Sequence, residues 1–314
     1  MVDPTTAHPD DEIDLRELFV TLWRGKWIII AFTVVFATAG VLYALSKPNI
    51  YEANVLLAPT QDESGGGGMR NQIGSLASLA GISLGSGGGA SPTIIAKKIL
   101  QSRVFLRDFI HRHELSVPLM AAKGWDDVNE RWVINRKIYD PNSEQWLTGE
   151  GGESLAPTDW DMVKTLKNGH LSLSEDEGSG MITLRVKSFS PPAAKDWAEK
   201  LVLDINEYMR EQDVAEAEAR ISYLEKKLSE TNIAGMRQIF YQLIESETRT
   251  VMLASAQSEY VFKTIDPAVV PQDKSEPKRA LISVVATMFG GALGVFVVFI
   301  RGLVSGKAQV AGNN

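Results

Sequence analysis

The residues best suited to metal or proton chemistry in this chain are four histidines, His8, His111, His113 and His170. His111 and His113 stand two apart on a predicted helix, so their rings leave different faces. No His-x-x-x-His pair exists to hold zinc from one face. The chain has no cysteine and so no thiol nucleophile. Gly302 to Ala308 (GLVSGKA) looks superficially like a phosphate-binding loop. It has one residue too few before Gly306-Lys307, and Ala308 replaces the Ser or Thr that would hold magnesium. Asp126-Asp127 and Glu175-Asp176-Glu177 could act as general acids on sugars, but they fall in polar, exposed stretches. The sequence predicts no enzyme: no catalytic residue, no metal site and no cofactor.

The elements around these residues point elsewhere. Trp27 to Leu45 and Ala280 to Ile300 are uncharged apolar runs, each long enough to cross a hydrocarbon core. Basic residues close both ends of each run: Arg24, Lys26 and Lys47 for the first, Lys278, Arg279 and Arg301 for the second. A soluble core helix rarely stays apolar on all faces over such a length. Ala44-Leu45-Ser46 has the small-x-small look of a signal-peptide cleavage site. The run exceeds a normal signal core, however, and the residues before it carry more acids than bases, so it reads as an uncleaved anchor. Two spans put both termini on one side and residues 46–279 on the other. The basic residues flanking the spans are too evenly shared to decide which side is which. The absence of cysteine raises no objection to an oxidising compartment. A formal net charge of −7 argues against nucleic acid as a partner.

The resulting reading is an α+β chain. Residues 1–26 form a tail, 27–45 the first span, 46–190 an α/β base domain, 191–257 a long helical arm, 258–279 a return strand with a proline-containing linker, 280–300 the second span and 301–314 a second tail. Within the first tail, Met1 to Glu12 is acidic and lacks the composition of a packed segment. Ile13 to Trp27 is amphipathic through Leu15, Leu18, Phe19 and Leu22, as a lead-in to the span or its frayed extension. Tyr51 to Ala58 is a predicted strand. The segment 65–89, rich in glycine at Gly65–Gly68 and Gly85–Gly89, lacks Gly-Lys-Ser/Thr and reads as a flexible loop. Thr93 to Arg112 is a predicted amphipathic helix with Ile95, Ile99, Val104, Leu106 and Phe109 as core positions. Thr158 caps a short helix, and His170–Ser174 with Met181–Lys187 form a hairpin around Gly178-Ser179-Gly180.

Ser190-Pro191-Pro192 is a strong helix start, and the helical pattern then runs to Thr231, roughly 60 Å. It breaks at Asn232–Gly235. A second helix, Met236 to Ala256, and a strand, Ser258 to Asp266, together match that length on the way back. Trp197, Leu201, Ile205 and Tyr208 share one face of the long helix, followed by Ile221, Leu224 and Leu228. The Glu- and Ala-rich stretch Arg210–Arg220 interrupts this stripe, which argues against a coiled coil and leaves a face for other copies. Ala215, Ala219 and Ile221 are the candidate contacts. In the second span, Ala286, Gly290 and Gly294 repeat every four residues beside Gly291, a spacing that allows close helix approach.

A span, then Pro48 with Tyr51-Glu52-Ala53, a long α/β region with an extended helix, and the approach VVPQDKSEPKRAL to the second span (Pro271, Pro277, Lys278, Arg279) make a recognisable layout. It resembles the Wzz-type O-antigen chain-length determinants, the class 1 polysaccharide co-polymerases. The resemblance implies a bacterial inner-membrane protein with both termini cytoplasmic and its bulk in the periplasm. It implies a non-catalytic, ring-shaped homo-oligomer, the octamer among the candidate sizes. Such a ring would set O-antigen length in lipopolysaccharide by acting on the O-antigen polymerase and lipid-linked polysaccharide, beside membrane lipid. Two alternatives stand beside it. One is a capsule or exopolysaccharide co-polymerase working with a separate kinase. The other is a periplasmic ligand sensor, for which the residues after the second span are too few to supply an output module.

Overall fold

The computed structural model describes residues 22–60 and 91–311. The predicted lead-in before residue 22 and the Gly-rich segment 65–89 lie outside the described residues. The chain divides into two compact units, Asn49–Ser275 and the terminal segments.

In the middle unit, β1 (Ile50–Pro59) is the organising strand. Its alternating side chains bury Tyr51, Ala53, Val55 and Leu57 on one face and leave Glu52 and Asn54 on the other. Helices α1 (Pro92–Ile99), α2 (Arg103–Arg112) and α3 (Ser116–Met120) follow. Two small hairpins come next, β2 (Ala122–Asp126) with β3 (Arg131–Ile134) and β4 (Tyr139–Asp140) with β5 (Gln145–Trp146). Helix α4 (Asp159–Thr165) then leads into β6 (Leu171–Glu175) and β7 (Ile182–Ser188). Beyond them lie α5 (Pro191–Glu230), α6 (Ala234–Ala256), β8 (Phe262–Asp266) and β9 (Lys274–Glu276). The main sheet has the order β6-β7-β1-β8, with β9 also on β1. β7 and β8 both run antiparallel to β1.

One face of this sheet carries the core. Ile182, Leu184 and Val186 of β7 join Phe105, Leu106, Phe109 and Ile110 of α2 and Trp197, Leu201 and Ile205 of α5 in one cluster. Each fully buried Leu or Ile there contributes about 1.5–3 kcal/mol. An antiparallel sheet needs only one such covered face, and the polar alternation of β1 satisfies the other.

The predicted helix from Thr93 to Arg112 is two helices. Ser102 interrupts it: its Oγ accepts from Phe105 N at 3.3 Å, which caps α2 and ends the α1 pattern. The break shifts the phase of the buried stripe. Ile95 and Val104 are therefore exposed, while Ala96, Leu100, Phe105 and Ile110 are buried with Leu106 and Phe109. The α4 cap forms as the residues dictate, Thr158 accepting from Asp161 N. The β6–β7 turn is closed by Asp176 Oδ1, which accepts from Gly178 N at 2.8 Å, and Gly180 takes a positive φ of 68°.

The two small hairpins are copies of one another. Trp125–Trp132 (WDDVNERW) and Tyr139–Trp146 (YDPNSEQW) share aromatic, Asp, Asn/Ser, Glu and Trp at the same offsets. Asp126 Oδ1 accepts from Val128 N and Asp140 Oδ1 from Asn142 N, while Asn129 Nδ2 and Ser143 Oγ each donate to the second carboxylate oxygen. These bonds hold both carboxyls below the usual range. Glu130 and Glu144 both take positive φ, 47° and 53°. The aromatic pairs lie opposite each other across the strands, with ring centroids 5.3 and 5.1 Å apart.

Helix α5 begins where Ser190 Oγ accepts from Ala193 N, with proline at the first two positions, and continues without a break for 40 residues. Its first half is packed into the core as far as Met209, and Tyr208 is exposed. α6 runs back alongside the second half, tied by Arg220 Nε to Glu247 Oε2 at 3.0 Å. The return strand is shorter than its sequence pattern: only Phe262–Asp266 pair with β1, because Tyr260 and Val261 bond to other partners.

The terminal unit consists of the first span helix, Lys26–Ser46, and the second, Arg279–Ala311. Both turn large apolar side chains outward, among them Trp27, Val35, Leu42, Met288, Phe289 and Phe296. A soluble core helix would bury these; a lipid-facing helix presents them.

Candidate functional site

Among the described residues, those able to do chemistry do not converge. His111 Nε2 lies 2.8 Å from Asp159 Oδ1 on the surface between α2 and α4. His113 Nε2 lies 2.9 Å from the buried Asp204 of α5, whose Oδ2 is also 3.4 Å from Arg112 Nη1. These pairs fasten helices together. Asp126 is consumed by its own turn, and Asp127 accepts a long, 3.5 Å bond from Tyr51 Oη. Glu175 pairs with Lys97, and Asp176 closes the β6–β7 turn. Among the described residues no group of three or more His, Asp or Glu could hold a metal ion. Gly302–Ala308 continues the second span helix, which is not the loop that cradles a phosphate.

His170 donates from Nδ1 to Lys187 O at 2.7 Å and sits 6.0 Å, ring to ring, from Trp197. Burial holds its ring below the usual histidine range, partly offset by that bond. Above the unfolded value of 6.5 both states are neutral and His170 adds no pH dependence. As pH falls through 6.5, the unfolded ring takes a proton that the buried ring refuses, so stability is lost on acidification. His170→Phe should reduce the fall in melting temperature between pH about 7.5 and about 5.5, measured on the full chain in detergent. An unchanged fall would assign the acid sensitivity elsewhere.

The small residues of the second span lie against the first span of the same chain. A Cβ at Gly290 would sit 2.6 Å from Phe36 Cβ and 3.0 Å from Phe32 O. One at Gly294 would sit 2.8 Å from Ile29 Cα, and one at Gly40 would sit 2.5 Å from Ala286 Cβ. Gly25 abuts Val298, and Gly291 has more room, with Thr33 Oγ1 at 3.5 Å. The sums of the paired positions stay nearly constant, as antiparallel helices require. The second span thus opens with Arg279, two residues after Pro277 and next to the exposed Lys278, and Pro271 lies between β8 and β9. On α5, Ala215 and Ala219 are exposed and Ile221 is half-buried. Sequence reasoning missed Gly25 and Gly40, although both stand at small-residue positions in or beside the first span.

Two family models match this chain. Residues 11–113 match Wzz, chain length determinant protein. Residues 230–303 match GNVR, described as a "G-rich domain on putative tyrosine kinase". Among solved structures, the chain is similar to a full-length bacterial polysaccharide co-polymerase at 12% identity, over 94% of this chain and 99% of that chain, with a TM-score of 0.39. No curated protein matches it.

The second match corrects the class 1 expectation. A kinase-associated G-rich domain over α6, β8, β9 and the second span places the likeness with co-polymerases that work with a tyrosine kinase, and away from O-antigen determinants. The O-antigen and lipopolysaccharide assignment falls with it. The motifs behind that expectation, Tyr51-Glu52-Ala53 and the prolines at 271 and 277, frame the passage between span and domain. Either class must make that passage, so they do not discriminate. The coarser reading stands: this is a two-pass inner-membrane protein with its bulk in the periplasm, a helix-and-sheet domain flanked by two apolar helices.

Proposed function

We propose that this chain is the membrane half of a capsule or exopolysaccharide co-polymerase that acts with a kinase carried on another chain. The observation that supports it most is the presence on one chain of a chain-length-determinant match at residues 11–113 and a kinase-associated match at residues 230–303. The protein contributes shape and not chemistry. Copies assemble around the growing lipid-linked polysaccharide, with the sheet domain as the base of each arm and α5 with α6 as an extended hairpin. Exposed Ala215 and Ala219 and half-buried Ile221 lie on the part of α5 that the base does not cover, which suits contact with a neighbouring copy.

Deleting the gene should abolish or shorten the high-mass capsule or exopolysaccharide, and complementation should restore it. The lipopolysaccharide ladder should stay unchanged. A collapsed ladder with normal capsule would overturn the proposal. The same strain tests the partner: a tyrosine kinase should co-purify with the tagged full chain from membranes.

A further inference from the structure

The chain between the two family matches, residues 114–229, contains a residue that is bonded into the second of them. Asn206 lies on the core half of α5 and is only 3% exposed. Its side chain is used entirely on one short segment. Oδ1 accepts from Val261 N at 2.8 Å and from Phe262 N at 2.9 Å, and Nδ2 donates to Phe262 O at 2.9 Å. Two backbone N–H donors require an oxygen there, which fixes the orientation of the amide.

The same segment is held twice more. Seven residues along α5, about 10 Å further out, Asp213 Oδ2 accepts from Tyr260 Oη at 2.7 Å. On the opposite side, Thr60 donates from Oγ1 to Tyr260 O at 2.6 Å and from its backbone N to Val261 O at 3.1 Å. Residues 260–262 are thus bonded to α5 on one side and to the end of β1 on the other. This is where the chain leaves α6 and enters the sheet. Beyond it, α5 and α6 pack chiefly on each other, and among the described residues only Ala217 and Ala254 of that stretch are fully buried.

We infer that Asn206, with Asp213, Tyr260 and Thr60, is a latch that fixes the direction in which the helical arm leaves the sheet. The continuous helix α5 supplies the rod, and the latch prevents the return leg from sliding or splaying at its root. Arm and base then move as one body, and a change at the latch alters the angle of the arm without touching the arm itself. This inference concerns geometry within one chain and does not depend on which polysaccharide is made or whether a kinase is bound.

The absence of native cysteine makes the test direct. Spin labels on Gly235→Cys, at the start of α6, and Ser172→Cys, on exposed β6, report the arm-to-base distance in the full chain in nanodiscs. The parent should give one narrow distance. Asn206→Leu, which keeps the volume and removes all three bonds, should broaden and shift it, and should speed amide exchange at Val261 and Phe262. Asn206→Leu could instead prevent folding; the milder Tyr260→Phe and Asp213→Ala then decide, each expected to broaden the distance less. Asp213→Asn, which still accepts from Tyr260, should restore the narrow distance. An unchanged distance in folded Asn206→Leu, or in both milder variants, would overturn the latch.

Discussion

Replacing both Gly290 and Gly294 with leucine is expected to pull the two spans of one chain apart. At each position even a methyl group would approach backbone or Cβ atoms of the first span within 2.6–2.8 Å, well inside van der Waals contact. Relief requires moving one helix away from the other, since Phe32 O and Ile29 Cα belong to the backbone and cannot rotate aside. Overpacking of this kind costs about 1–3 kcal/mol per site, and more where backbone must shift. Two such sites one turn apart act on one seam, so their effects should not simply add.

A cysteine pair at Thr33 and Gly291 measures the seam, because a Cβ at 291 would lie 3.5 Å from Thr33 Oγ1, close to disulfide range. Oxidation in membranes should join the pair within one chain, with no gain in mass. In the Gly290→Leu, Gly294→Leu background the link should be lost. A link that doubled the mass would mean that the glycines meet a neighbouring copy. A chain carrying the Gly291 cysteine with native Thr33 is the control and should form no link within the chain.

Patterns set by local chemistry were open to reading from the sequence. Uncharged runs bounded by Lys and Arg mark the span helices, and Ser190-Pro191-Pro192 marks the start of α5, because capping and proline geometry act within one turn. What escaped depends on partners distant in sequence or on a competition between neighbours. Ser102 could sit within a helix or cap one, and only the packing of Phe105 and Leu106 decides for the cap. Tyr260 and Val261 have strand-like composition, yet they are also bonded to Asp213 and Asn206 of α5, partners far away in sequence. Asn206 looked like one polar residue among many on a long helix. The paired hairpins were written in the sequence as a 14-residue repeat, but each is shorter than the window in which periodicity is informative. The choice between co-polymerase classes failed for a different reason. The residues used to make it serve membrane entry and exit, a physical task common to both classes.

Trp197→Ala is the single substitution expected to cost the periplasmic domain most. Trp197 is 3% exposed on α5 and sits where three separate elements meet. Its ring stacks on Trp132 of β3 at 6.3 Å and 16°, and lies 6.0 Å from the His170 ring next to β6. Truncation removes the indole and leaves a cavity lined by groups anchored on different elements, which cannot all collapse into it. Losses of about 3–5 kcal/mol are typical for buried Trp→Ala, a large share of the stability of an ordinary domain. Trp132→Ala should cost less, since Trp132 is half-buried and its hairpin keeps the Asp126 turn. The double variant should cost less than the sum, because the stacked pair can be lost only once. Denaturant unfolding of the full chain in detergent, followed by near-ultraviolet dichroism of the tryptophans, would measure all three. Strict additivity would mean that the two rings do not support each other. A Trp197→Ala cost below that of Trp132→Ala would show that the core is not centred on α5.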